Sequence, residues 1–302
     1  MGVTIEQVVS LIPAWQGRQV VVLPLSGGLT NLNYRVEVEG TPHFVRIPGA
    51  GTELLAIDRQ NEFHNTRAAA EAGVGPKVIH YLPEHQVMVL EFIPGKTMSN
   101  KTLQAEGMPA RIAQSLRMLH AGPRFLTNFN MFRLIEFYLR MVQEHEVRIP
   151  DTYRSRLATV QRIEQATLAH PLPTLPCNND LLAENYIDDG RLLRLIDFEY
   201  SGNNDPCFEL GNTCQELQYD EARLVELCQA YFGQPSRHLV ARMHLFALTS
   251  DVGWTLWGAI QAKVSKLDYD FWSYAVGRWE RAERIVDCPD FPRWLEDARR
   301  SD

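Results

Sequence analysis

Short β-forming runs alternate with turn residues through the first part of the chain. Between residues 19 and 47, the runs QVVVLPL, NYRVEVEG and PHFVRI are separated by SGGLTN and by the turn EGTP, which predicts an antiparallel meander. Residues 58–73 follow with good helix formers, an aspartate that can cap the start, and Gly73 to end the helix. VIHYL and QVMVLEFI then predict two more strands around a turn at 83–85. Together these patterns predict a small antiparallel sheet with one helix.

Helical spacing takes over after the sequence PGKTM. Ile112, Leu116 and Leu119 recur on one helical face, and residues 131–146 and 151–169 continue mostly as helix. The C-terminal third is helical as well, and no internal repeat is present.

The change of pattern near residue 93 predicts two lobes. Residues 1–93 would form a sheet-rich N-terminal lobe, and residues 94–302 a larger, mostly helical C-terminal lobe, with a short linker near 92–97. The predicted fold class is therefore α+β, with a crevice between the lobes where ligands tend to bind.

One strand–turn–strand signal interrupts the helical part. NYI and RLLRLID flank the turn residues DDG, and Asp-Gly between apolar runs is a strong cue for a hairpin. With a two-residue turn at 189 and 190, the second strand would return Asp197 to the end of the hairpin at which Asn185 begins. Asp180, five residues before Asn185, would then converge with both.

The side chains of Asp180, Asn185 and Asp197 would supply two carboxylates and one amide oxygen. Such hard oxygen ligands suit Mg²⁺ far better than zinc. One aspartate of such a group can instead accept the proton of an attacking hydroxyl, as in the D-x-x-x-x-N loops of kinases. Because that pattern is loose, the same residues could also do no more than cap turns.

Two backbone segments of the sheet-rich lobe are candidates for nucleotide binding. Ser26, Gly27 and Gly28 form a predicted turn whose N–H groups can approach an anion without a Cβ in the way, although a Gly-Gly hairpin turn is commonly structural. In VLEFIPG, the backbone of Glu91 and Ile93 could present a donor and an acceptor to an adenine edge, or the strand could simply end there.

The candidate cation for phosphate is an arginine, because the first 76 residues contain no lysine. Arg46 lies in the otherwise apolar strand HFVRIPG, and its guanidinium is always charged and can bind two oxygens at once. Glu62 in the following helix could hold it as an ion pair. A solvated arginine on an edge strand is the alternative.

Composition and charge narrow the function classes. The 302 residues are 45% hydrophobic and 22% charged, as in a soluble globular protein. A net charge of −7, with basic residues spread singly, argues against a nucleic-acid partner. The N-terminus has neither the charged lead of a signal peptide nor an apolar run that could span or insert into a membrane. Five cysteines without a CxxC pair predict neither a disulfide framework nor a zinc site, so we expect a cytoplasmic protein whose oligomeric state the sequence leaves open.

Several motifs occur in order from about residue 20 to 280, namely GGLTN, VRIPG with IDRQNE after it, NNDLLAEN, IDFEYSGNNDPCFELGN and a late Trp-x-x-Trp. Together they resemble the choline/ethanolamine kinase family, a branch of the aminoglycoside phosphotransferase and protein-kinase-like superfamily. The resemblance implies a two-lobed, protein-kinase-like fold that moves the γ-phosphoryl group of ATP to the hydroxyl of choline or ethanolamine. A kinase of the same fold for another small alcohol, such as an aminoglycoside, homoserine or a sugar, and a nucleotide-binding pseudokinase are the alternatives.

The resemblance also implies roles for individual residues. Asp180 would be the catalytic base, and Asn185 and Asp197 would bind Mg²⁺. The residues that would bind ATP are Ser26, Gly27, Gly28, Thr30, Asn31, Arg46, Glu62, Glu91 and Ile93, and those that would surround the amino alcohol are Glu216, Trp254, Trp257 and Tyr274. Aromatic faces and a carboxylate suit a quaternary ammonium, which cannot donate a hydrogen bond, although periodicity alone would assign the tryptophans to the core.

The chain departs from the family pattern at Asn178, where the motif resembles H-N-D and here has asparagine first. An asparagine amide can both donate and accept a hydrogen bond. We therefore predict that Asn178 still supports the loop and that Asp180 stays in place.

Overall fold

The N-terminal part of the computed structural model is a five-stranded antiparallel sheet. The structure describes residues 3–25, 28–49 and 52–300, so the predicted contacts of Ser26 and Gly27 lie outside the described residues. The strands are β1 (Val20–Leu25), β2 (Asn31–Val38), β3 (Thr41–Pro48), β4 (Val78–Leu82) and β5 (Val87–Glu91), in the spatial order β1-β2-β3-β5-β4. The meander and both later strands are thus confirmed.

The sequence patterns did not predict the short helix that packs against this sheet. Helix α1 (Ile5–Leu11) begins with a capping box in which Thr4 and Gln7 each bind the other's backbone N–H. Its buried residues Ile5 and Val8 join the apolar cluster on the sheet. The prediction of one helix in this lobe was therefore incomplete.

The helix predicted at 58–73 is α2 (Arg59–Glu71), with Asp58 as its N-cap and Gly73, at φ +83°, just beyond its end. Its buried face is polar and points to the helical part of the chain. Asn61 and Asn65 both donate to the Ser201 carbonyl oxygen, at 2.8 and 3.1 Å. These bonds fix α2 to the larger part of the protein.

The remainder of the chain is mostly helical, as predicted. The helices are α3 (Asn100–Leu103), α4 (Met108–His120), α5 (Met131–Glu144), α6 (Leu157–Ala169), α7 (Pro206–Glu216), α8 (Glu221–Phe232), α9 (Arg237–Val264), α10 (Phe271–Val286) and α11 (Phe291–Asp297). Helix α9 forms the centre of the core, and a Cβ on Gly211 of α7 would collide with the Met243 carbonyl oxygen, so glycine allows the two helices to pack closely. Among the described residues, no helix combines the length and apolar character needed to cross a bilayer.

Short strands carry the functional loops of the helical part. Strands β6 (Lys96–Thr97), β8 (Tyr186–Asp188) and β9 (Leu193–Leu195) form one sheet, and β7 (Leu175–Cys177) pairs with β10 (Gly202–Asn204). The predicted two-residue hairpin turn is wrong, because Asp188 pairs with Leu193 and leaves a loop of residues 189–192. The Asp189 side chain accepts from the N–H groups of Arg191 and Leu192, which stabilises this wider loop.

Candidate active site

The hairpin of β8 and β9 brings together the backbones of the predicted base and metal ligands. The Asn185 amide donates to the Asp180 carbonyl oxygen at 2.8 Å. The Ile196 N–H donates to the Asn185 carbonyl oxygen at 3.0 Å, which places Asp197 directly beside Asn185. Asp197 has φ +63°, a left-handed conformation in which few residues other than glycine, asparagine and aspartate are found. The wider hairpin loop therefore still leaves the backbone segments of these three residues next to one another.

Asn178 links the two functional loops. Its side-chain oxygen accepts from the Asp180 N–H at 3.1 Å, and its side-chain nitrogen donates to the carbonyl oxygens of Asp197 and Ile196 at 2.8 and 3.2 Å. The amide thus both donates and accepts, as the sequence predicted.

Asp180 is half-buried beneath two acidic neighbours. Burial raises the pKa of its carboxyl to about 8, and the charges of Glu216 and Asp197 act in the same direction, against an opposing effect of Arg278. A carboxyl with a pKa in this range can exchange a proton near neutral pH, which suits a general base.

Arg46 is buried in an ion network and is not a solvated edge arginine. Its Nη1 lies 2.5 Å from Glu62 and 2.8 Å from Asp197, and the residue is 6% exposed. Arg59, which the sequence analysis did not single out, binds Glu62 at 2.7 Å and Glu199 at 3.3 Å. The five groups comprise two guanidinium and three carboxylate groups, which leaves one formal negative charge in excess.

Glu199 joins this network through Arg59, although the sequence patterns gave it no role. Burial and the nearby Asp197 raise the pKa of its carboxyl to about 7. The Thr30 hydroxyl donates to it at 2.9 Å and the Asn31 amide at 3.0 Å, so both predicted ATP-binding residues contact it here. Gly28 has φ +92°, which fits the predicted turn. Crowded carboxylates next to an amide oxygen are a donor set that fits Mg²⁺.

The predicted adenine contacts lie at the end of β5. The Glu91 N–H donates to the Lys77 carbonyl oxygen at 2.8 Å, so an adenine contact from Glu91 would have to use its carbonyl oxygen. Ile93 is buried just beyond the strand.

A group of four aromatic side chains lies near Asp180, whose charge acts on two of them. The rings of Trp257 and Tyr274 are 5.5 Å apart, those of Tyr200 and Trp254 are 4.8 Å apart, and Trp257 Nε1 donates to the Tyr200 hydroxyl at 2.8 Å. Burial, and among other charges that of Asp180, raises the pKa values of Tyr200 and Tyr274. Tyr200 was missed, although it directly follows Glu199 in the motif IDFEY.

Glu216 lies next to these rings but already has a cationic partner. Both of its oxygens bind Arg278, whose guanidinium carbon is 4.4 Å from the Tyr274 ring centre. Burial acts to raise the pKa of Glu216, but Arg278 and Arg281 outweigh it and hold the pKa below its ordinary value. Sequence spacing could not reveal this pair, because the contact requires α7 and α10 to pack against the same helix, α9.

Comparison with known proteins decides the family. A model of choline/ethanolamine kinases matches residues 22–231. The chain belongs to the choline/ethanolamine kinase family. It is 36% identical to a choline/ethanolamine kinase family protein from Mesorhizobium loti, with a TM-score of 0.85 and 96% of each chain covered.

Two further relatives in the choline/ethanolamine kinase family carry more specific names. Choline kinase LicA from Streptococcus pneumoniae is 25% identical, with a TM-score of 0.79 over 93% of this chain and 98% of its own, and a LicA structure in complex with AMP matches with a TM-score of 0.77. Ethanolamine kinase 2 from Rattus norvegicus is 28% identical over 91% of this chain and 78% of its own length. The predicted family, the α+β protein-kinase-like fold and the assignment as an alcohol phosphotransferase are confirmed.

Proposed function

We propose that this kinase transfers the γ-phosphoryl group of ATP to the hydroxyl of choline or ethanolamine, with Asp180 as the base. The observation that carries the proposal is the position of Asp180, whose pKa is raised by burial and by two carboxylates that belong to different groups. Asp197 belongs to the ion network with Arg46, whereas Glu216 belongs to the aromatic group. A base between a phosphate-binding and an amine-binding group is what transfer to an amino alcohol requires.

Asn185 and Asp197 are the proposed ligands of Mg²⁺, and Glu199 is a neighbouring carboxylate. The excess negative charge of the network and the raised pKa of Glu199 support a divalent cation there. Mg²⁺ would offset negative charge on the phosphate oxygens during transfer.

The proposed ATP site lies between the sheet and this network. Arg46, held by Glu62, would bind phosphate oxygens, with Gly28, Thr30 and Asn31 in the segment above them. The related LicA structure in complex with AMP supports nucleotide binding by this chain. Glu91 and Ile93 would meet the adenine edge.

The proposed acceptor pocket is formed by Trp254, Trp257, Tyr274 and Tyr200 with Glu216 at its side. Ring faces attract an ammonium group by about 0.5–2 kcal/mol each. A small alcohol without a quaternary ammonium is the second candidate, because Arg278 already binds Glu216 and covers Tyr274.

The test is an ATP-consumption assay with Mg²⁺ and a panel of acceptors, namely choline, ethanolamine, dimethylethanolamine, homoserine and kanamycin. A reaction without an acceptor gives the background. We expect turnover with choline or ethanolamine that Asp180→Asn reduces by at least about 1000-fold. Asp189→Asn is the matched control, because Asp189 Oδ1 accepts backbone N–H groups in the hairpin loop and an asparagine oxygen can do the same. The variant also loses a long ion pair, at 3.8 Å, with Arg194. Turnover with kanamycin or homoserine alone would reject the proposed substrates, and turnover that survives Asp180→Asn would reject the base.

A further inference from the structure

Three donors of the sheet-rich lobe converge on the Glu199 carboxylate. Thr30 Oγ1 donates to Oε1 at 2.9 Å, and the Asn31 side-chain nitrogen donates to Oε2 at 3.0 Å. Arg59 Nη1, from the first turn of α2, lies 3.3 Å from the same Oε2. A hydroxyl, an amide and a guanidinium are also groups that bind phosphate oxygens. Glu199 therefore occupies a set of donors that would suit an external anion.

Arg59 has hydrogen-bonding capacity that the protein does not use. Its Nη1 forms both ion pairs, at 2.7 Å to Glu62 and 3.3 Å to Glu199, whereas Nη2 and Nε have no hydrogen-bond partner. The residue is 5% exposed. Among the described residues, it is the only arginine with a buried terminal nitrogen that lacks a partner. A buried N–H without an acceptor costs free energy, and a ligand oxygen that accepts from it would remove that cost.

Glu199 occupies these donors against the charges of its neighbours. Burial and the charge of Asp197 raise the pKa of Glu199, and Glu62 adds to this effect. Arg46 and Arg59 offset it only in part. An ionised carboxylate is therefore less stable here than in water, although three donors bind it. A phosphate that arrives with Mg²⁺ could replace it.

We propose that Arg59 is a phosphate-binding residue and that Glu199 occupies its site until ATP binds. The terminal phosphate of ATP would accept from Thr30, Asn31 and Arg59, with the unused Nη2 of Arg59 as a further donor. Glu199 would then turn toward the Mg²⁺ proposed at Asp197. The inference rests on the proposed function, in which ATP is the phosphoryl donor.

Two substitutions of Arg59 test its contact with phosphate. Arg59→Met removes the guanidinium but keeps an unbranched side chain, whereas Arg59→Lys keeps a charge for Glu62 and lacks the second terminal nitrogen. Calorimetric titration should show a Kd for ATP that is about 10- to 100-fold higher in Arg59→Met and at least about threefold higher in Arg59→Lys, because hydrogen bonds between charged groups are lost. The Kd for AMP, which lacks the terminal phosphate, should change by less than about twofold.

Glu199→Gln supplies a test of opposite sign. The glutamine oxygen can still accept from Thr30 or Asn31, but it carries no charge that repels the incoming phosphate. At pH 8.5 without Mg²⁺, this variant should bind ATP at least about threefold more tightly than the wild type. If the contact between Arg59 and Glu199 only stabilised the fold, Glu199→Gln would weaken the binding of ATP, and that result would overturn the inference.

Arg156→Met is the matched control for the loss of a guanidinium. Arg156 pairs with Asp287 at 3.1 Å and joins the start of α6 to the end of α10, outside the proposed phosphate site. Its Kd for ATP should equal that of the wild type. Circular dichroism would show whether each variant folds, and Arg59→Lys alone decides the test if Arg59→Met does not fold.

The outcomes separate this inference from the proposed function. Folded Arg59 variants that bind ATP as the wild type does, or that lose affinity for ATP and AMP by the same factor, would overturn the inference. If such variants still phosphorylate choline or ethanolamine, the proposed function would stand without it. Selective loss of ATP binding in a protein that phosphorylates no acceptor of the panel would support the role of Arg59 and reject the proposed substrates instead.

Discussion

Replacing Glu199 with glutamine is expected to stabilise the ligand-free protein at neutral and basic pH. The Glu199 side chain is 7% exposed, and burial together with Asp197 raises its pKa from an ordinary 4.5 to about 7. Because the folded protein then binds this proton more tightly than the unfolded chain does, ionisation of Glu199 weakens folding. At 1.36 kcal/mol per pKa unit the penalty is about 3 kcal/mol above pH 7, and it vanishes below about pH 4.5.

The contacts of Glu199 reduce the expected gain in the free energy of unfolding but do not change its sign. A glutamine oxygen can still accept from Thr30 or Asn31, whereas Arg59 loses one of its two carboxylate partners. We therefore expect Glu199→Gln to raise the free energy of unfolding by about 1–3 kcal/mol at pH 8.5 and by less than about 0.5 kcal/mol at pH 4.5.

Urea unfolding at several pH values, with and without Mg²⁺, is the assay. Mg²⁺ should stabilise the wild type more than the variant, because the cation would offset the repulsion between Glu199 and Asp197 that the substitution removes. Asp188→Asn is a control of opposite sign. The hydrogen bonds from Arg111 lower the pKa of Asp188 to about 2, so ionised Asp188 stabilises the folded protein at pH values above its ordinary pKa, and its replacement should destabilise the protein there. That pair is half-buried and partly screened by solvent, so it should contribute less than about 1 kcal/mol. A Glu199→Gln protein less stable than the wild type at pH 8.5 would refute the reasoning.

Three further predictions concern activity. The value of kcat/KM should fall as the pH is lowered through about 8, because Asp180 must be ionised to accept a proton and burial raises its pKa; a flat profile between about pH 6 and 9 would contradict this. Turnover of Asn178→His should differ from the wild type by less than about tenfold, since the asparagine amide already joins both loops; a gain of several orders of magnitude would show that the asparagine impairs the enzyme. Arg46→Lys should raise the KM for ATP by at least about tenfold while the free energy of unfolding falls by less than about 2 kcal/mol, and ATP titration and urea unfolding would distinguish these effects.

Local patterns in the sequence predicted most of the fold. Alternating strands, capped helices and the five-residue spacing of Asp180 and Asn185 are local signals, and the predicted strands and helices are present in the structure. Helix α1 was missed although its capping-box residues Thr4 and Gln7 are visible in the sequence. The two-residue turn was wrongly predicted because the Asp189 side chain accepts backbone N–H groups that a tight turn would bond to a backbone carbonyl.

Sequence patterns could not predict contacts between elements that are far apart in the chain. Arg278 binds Glu216 across 62 residues, and Glu209 reaches the catalytic loop from α7 with His120 behind it. No periodicity connects such residues, because the packing of whole helices decides which side chains meet. Burial of Arg46 was likewise open, since an edge arginine and a buried one have the same sequence context.

The geometry of Arg46 explains why an arginine suits this position in a chain that lacks lysine in its first strands. Nη1 alone contacts both Glu62 and Asp197, so the remaining nitrogens of the planar guanidinium are not needed for these two ion pairs. The single nitrogen of a lysine would have to serve the carboxylates and the phosphate at once. Because Asn61 and Asn65 bind α2 to the helical part, Glu62 holds Arg46 next to Asp197 before a nucleotide arrives. In the proposed ATP site, Arg46 would therefore keep its place, and the phosphates would compete with Glu199 for the hydrogen bonds that Thr30 and Asn31 donate.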